Sequence, residues 1–137
     1  MSATTAPGMV EQTYLKAEPG ARAALARYIV ANWLAMDRVA TEQGWFDGYT
    51  LHENADGDAA GWDLLVTVHY RSADGYADPA TQAAFEAIRR AHREVSIDGR
   101  RLAQLGRIVR HQRLRPIAPV LPPASPLPPA AVSGPQR

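Results

Sequence analysis

A chain of 137 residues with 46% hydrophobic side chains has the size and apolar content of one globular domain around one core. Its 15 basic and 14 acidic side chains leave a formal charge of +1, so no net field draws in nucleic acid or an anionic membrane, and neither is expected as a partner. The absence of cysteine excludes disulfides, thiolate metal sites and a cysteine nucleophile.

Residues 1–8 are read as a flexible N-terminus. They lack the basic start and apolar run of a secretory signal, and no later stretch is long and apolar enough to cross a bilayer, so a soluble, cytoplasmic protein is expected. Residues 9–17 (MVEQTYLKA) alternate imperfectly as a first strand, with Val10 and Tyr14 on one side and Met9, Thr13 and Leu15 on the other. Pro19-Gly20 breaks it. A long helix is then predicted over 21–43, stopped by Gly44, with Leu25, Ile29, Trp33, Met36 and Ala40 in one buried stripe and Asn32 at its edge.

Residues 45–54 form a second strand and 62–70 a third, joined as a hairpin across the turn-rich ADGDAAG segment. In the third, Trp62, Leu64, Val66, Val68 and Tyr70 alternate with Asp63, Leu65, Thr67 and His69. Asp78-Pro79 opens a second helix, predicted to run to about residue 95. A short helical turn over 101–105 and a fourth strand over 106–114 close the domain, which spans 9–115. Residues 116–137, rich in proline and alanine, are read as a disordered, extended tail.

The order βαββαβ with right-handed crossovers predicts an α+β, ferredoxin-like fold, a four-stranded antiparallel sheet with two helices on one face. The other face carries Leu65, so part of it calls for a partner, and stacking against a second copy makes a homodimer the expected assembly. The segments TYLKAEPG, WDLLVTVHY and FEAIRRAHREV, the last behind an Asp-Pro helix start, resemble the dimeric α+β barrel superfamily. Its members include antibiotic-biosynthesis-type monooxygenases, EthD-like proteins and small haem-degrading monooxygenases.

Phe85, Ile88, His92 and Val95 recur at helical spacing, which turns His92 toward the sheet. An imidazole in an apolar seam must find a hydrogen bond or open onto a cavity, or it costs roughly 1–3 kcal/mol. A backbone carbonyl could satisfy it, or it could be functional. The resemblance implies two functional forms. In haem-degrading members a histidine in a similar Ala-His segment ligates iron and looks like His92, with an asparagine and a tryptophan elsewhere in the site. Gln12 and Gln82 stand near those two places here.

In oxygenase-like members the substrate pocket lies between the helices and the sheet. The resemblance there implies a pocket lined by His92, Asn32, Trp33, Phe85, Gln12 and Tyr14. His92 would take a proton from an acidic phenol or enolisable ketone, and Asn32 would stabilise the oxyanion.

A second constellation lies on the hairpin. Pairing Tyr49 with Val66 and Leu51 with Leu64 sets His52 opposite Asp63, on the face of Thr67 and His69, either as a base with its orienter or as a surface ion pair. The histidines lack the close spacing of a zinc motif, so no metal is expected, and no other cofactor is called for. The basic cluster Arg100, Arg101, Arg107, Arg110, Arg113 and Arg115 reads as a solvated face.

The function expected from this reading is a cofactor-independent monooxygenase or cyclase acting on a small aromatic or polyketide-like molecule, with His92 moving the proton. The alternatives are a haem-binding protein with His92 as axial ligand and a non-catalytic dimeric ligand-binding or accessory module.

Overall fold

Alternation of apolar side chains builds the centre of the sheet first. In the computed structural model, which describes residues 7–118, β1 (Val10–Ala17) pairs antiparallel with both β3 (Leu64–Tyr70) and β4 (Gly106–Leu114). β2 (Phe46–Glu53) joins the outer side of β3, giving the order β2-β3-β1-β4. This is the α+β, ferredoxin-like arrangement that the element order predicts. Odd-numbered residues of β1 and even-numbered residues of β3 share one face. There Leu15, Leu64, Val66, Val68 and Tyr70 are buried with Leu25, Ile29 and Ala40 of the helical layer.

That layer consists of α1 (Arg22–Ala31), α2 (Trp33–Glu42), α3 (Pro79–Ala91) and the single turn α4 (Leu102–Leu105). Gly44 at φ +90° ends α2 as the sequence predicts, because a side chain is strained at that angle. Asp78 caps α3, its Oδ2 accepting from the Thr81 amide at 3.0 Å and the Thr81 hydroxyl at 2.7 Å. At the start of β4, backbones come too close for any side chain. A Cβ on Gly106 would stand 2.5 Å from the Lys16 carbonyl oxygen.

Three expectations are corrected. The helix predicted over 21–43 breaks at Asn32, whose backbone sits at φ −117°, ψ −66° and whose side chain bridges the Tyr28 carbonyl of α1 to the backbone of Val95. The helix predicted to reach residue 95 ends at Ala91, since the Asn32 amide pairs with the Val95 backbone as a neighbouring strand would. The hairpin register differs by two residues. Tyr49 faces Val68, Leu51 faces Val66 and His52 faces Leu65, because Asp63 is held by the Ala17 amide at 2.7 Å and by Arg22 at 2.7 Å. A two-residue slip preserves the faces. The expectations for the extreme N-terminus and for residues 119–137 lie outside the described residues.

Among the described residues, no helix covers the sheet's second face. It carries Val10, Gln12, Tyr14 and Lys16 of β1, Thr50 and His52 of β2, Leu65, Thr67 and His69 of β3, and Arg110, Gln112 and Leu114 of β4. Its order is lateral. The Gln112 amide donates to Gln12 at 2.6 Å, Tyr14 packs edge-on to Trp62 at 5.1 Å, and Arg110 lies over the Tyr14 ring at 5.3 Å.

Candidate functional site

Between the helical layer and the sheet lies a cavity of about 350 Å³, at the small end of the range for ligand pockets. Its walls are aromatic. Trp33 opens α2, Phe46 opens β2, and Phe85 of α3 stacks on Phe46 with ring centroids 5.5 Å apart and planes 21° apart. Tyr76 meets Phe85 edge-on from the 3-10 turn Gly75–Ala77. Arg89, one turn beyond Phe85, lays its guanidinium over the Phe85 ring at 5.2 Å and is exposed.

Two carboxyl groups face this apolar space. Asp37 of α2 follows Trp33 by one helical turn and is only 6% exposed. Its carboxyl has no hydrogen-bonding or ionic partner among the described residues. Burial pushes its pKa up to about 7, and the nearby Glu11 carboxylate adds to the rise. Glu11 comes from β1, on the face of Leu15. Its Oε1 accepts from the Tyr70 hydroxyl at 3.0 Å, and its Oε2 lies 3.4 Å from His111 Nε2 on β4. Burial, together with Glu11, raises the Tyr70 pKa far above the ordinary phenol value, so this hydroxyl stays protonated and donates. A carboxyl poised near neutrality in a ring-lined cavity can both accept and release a proton under ordinary conditions.

The residues predicted from sequence fall into three places. Trp33 and Phe85 line the cavity. Gln12 and Tyr14 do not; they point to the uncovered face, because burial of Leu15 fixes the alternation of β1 and turns its even-numbered residues away. His92 caps the end of α3, half-buried at the rim of a separate groove of about 610 Å³ between α2 and α3. Its Nε2 lies 2.9 Å from Asn32 Oδ1. The Asn32 amide donates to the Tyr28 and Val95 carbonyls at 3.0 and 2.9 Å, so Oδ1 is left to accept, from the Val95 amide at 2.7 Å and from His92 Nε2–H. The partner of His92 is therefore a side-chain amide rather than a backbone carbonyl.

Haem fits this arrangement poorly. The Nε2 atom is already engaged, Gln12 lies across the sheet from the helices, and Gln82 is exposed on α3. The hairpin constellation does not assemble either. His52 and His69 are exposed on the uncovered face, whereas Asp63 is buried at the strand's start, bonded to the Ala17 amide and Arg22, with Lys16 Nζ at 3.7 Å. Burial alone would raise the Asp63 pKa, but the Ala17 amide, Arg22 and Lys16 together hold it below the usual carboxylate value.

Asp37, Glu11 and Tyr70 escaped the sequence reading as site residues, although the two carboxylates left a signal. Asp37 stands between Met36 and Ala40 of the buried stripe, four residues after Trp33. Glu11 has the parity of Leu15. A charge at a core position of a helix or strand is the pattern that marks both.

No protein-family model matches the chain, and no curated protein matches it. Among solved structures, the crystal structure of PA3566 from Pseudomonas aeruginosa is similar over 85% of this chain and 100% of its own, with 17% sequence identity and a TM-score of 0.51. At that identity the likeness is one of fold.

Proposed function

We propose that this protein is a small-molecule enzyme of the cofactor-independent monooxygenase or cyclase kind, acting on a compact aromatic or polyketide-like substrate in the cavity between helices and sheet, and working as a homodimer. The observation that carries the reading is Asp37, a buried carboxyl without a partner among the described residues, poised near neutral pH between aromatic walls. In its ionised form it takes a proton from an acidic phenol or an enolisable carbon. The resulting electron-rich anion reacts with dioxygen or closes onto a carbonyl of the same molecule. Proton transfer thus moves from His92 to Asp37, with Trp33 and Phe85 retained as ring-binding walls.

The test combines oxygen uptake with solvent-deuterium exchange into anthrone-like and other phenolic compounds. Asp37→Asn should lower the rate by about 10²-fold or more, the usual scale of a lost general base. His92→Ala should retain most of it. The rate should rise with pH through about 7, as Asp37 ionises. Equal turnover in wild type and Asp37→Asn would remove the assignment.

A further inference from the structure

The cavity also has a charge pattern that narrows what it accepts, an inference that rests on reading it as the substrate site. We propose that its occupant carries a protonated amine, with the ammonium group between Asp37 and Glu11 and the rest of the molecule against the faces of Trp33, Phe46 and Phe85.

The case begins with Asp37. The residue is only 6% exposed, and its carboxyl lines the cavity without a hydrogen bond or ionic partner among the described residues, which leaves its oxygens free to accept from a cation with N–H donors. The titratable groups around it come from every neighbouring element. Glu11 and Tyr70 rise from the sheet, Tyr76 from the 3-10 turn and Arg89 from α3, while His111 reaches Glu11 from β4. Arg89 is the basic residue of the lining, yet its guanidinium rests on the Phe85 ring instead of reaching Asp37. That contact also demonstrates that these walls accept positive charge, as the negative face of an aromatic ring should. A carboxylate ligand would meet two acids here, and a neutral one would leave Asp37 unmatched.

Near neutral pH the ammonium donates to an Asp37 oxygen and the proton that Asp37 carried leaves for solvent. Binding therefore releases part of one proton. The base of the proposed reaction is then more fully charged when the cavity is loaded, leaving its second oxygen for the substrate's proton.

The experiment uses the full chain and three probes of one shape, 2-phenylethylamine, 2-phenylethanol and phenylacetate. They are followed by tryptophan fluorescence and by calorimetry in two buffers of different ionisation enthalpy. The amine should bind at least about tenfold tighter than the alcohol, with phenylacetate weakest. Its proton release should be fractional near pH 7 and vanish above about pH 8.5, where Asp37 is already ionised. Asp37→Asn and Glu11→Gln should each weaken the amine about tenfold while sparing the alcohol, and Arg89→Gln should tighten it. Three results overturn the proposal: a preference for alcohol or acid over amine, amine affinity unchanged by Asp37→Asn, or no saturable binding of any probe. Turnover and isotope exchange decide whether Asp37 is a base, whereas equilibrium affinity decides whether the cavity prefers amines, so either can fail alone.

Discussion

Asp37 is a residue the fold would be steadier without. Its carboxyl titrates near 7 in the folded chain against 3.8 for the free side chain. The folded state thus holds this proton more tightly than the unfolded state, and the sign follows. Below about pH 3 both states are protonated and the group costs nothing, but stability falls as pH rises from about 3 to 7 and stays reduced above. The ceiling on that loss is roughly 4 kcal/mol. Asp37→Asn should therefore match wild type near pH 3 and exceed it by about 1–4 kcal/mol at pH 8, as read by urea unfolding. An advantage independent of pH, or a less stable variant at pH 8, would show that the carboxyl is solvated or paired. Asp63 is the contrast. It too is buried, but the Ala17 amide and Arg22 occupy its oxygens, so it anchors the hairpin to the start of α1. Two buried aspartates look alike in sequence and are separated by what surrounds them.

Among the elements, the junction of α1 and α2 with the segment after α3 depends on one amide. Asn32 makes four hydrogen bonds, to Tyr28, to both backbone groups of Val95 and to His92. Replacing it with alanine leaves the Val95 amide and carbonyl and the His92 ring without partners. A cost of about 2–4 kcal/mol is expected, since orphaned buried groups each forfeit roughly 1 kcal/mol or more. Amide exchange at Val95 should quicken well beyond what global destabilisation explains. Undiminished protection there in Asn32→Ala would mean that other contacts hold the segment. The two helices predicted from sequence were each too long at this one place. Propensity and periodicity report the local preference of 21–43 and 78–95, whereas the break arises from a pairing across 63 positions of chain that no local pattern encodes.

For the whole molecule, the proposed assembly turns on the sheet face that the described helices leave open. Tyr14, Trp62 and Leu65 are half-buried there, and Leu114, on the edge strand, is 43% exposed. Homodimerisation through this face, part of the proposed function, predicts that sedimentation velocity at micromolar concentration gives a dimer and that Leu65→Lys gives a folded monomer. A wild-type monomer, or a Leu65→Lys dimer, would point to a sheet covered by something else or by water alone.

The order of strands and helices, the paired face of the sheet, the inward-facing stripes that hold Trp33 and Phe85 and the glycine stop at Gly44 were all legible in the amino-acid sequence. Each depends on a short-range period or a local backbone requirement, which the chain carries wherever it is placed. The site's chemistry was decided elsewhere. His92 reads as the inward group by helical spacing, but Asn32, sixty residues away, ends the helix and claims the ring, while Asp37 and Glu11 become neighbours only when α2 is laid across β1. Proton affinity depends on desolvation and on which charges lie within a few ångströms, and both are properties of the assembled core.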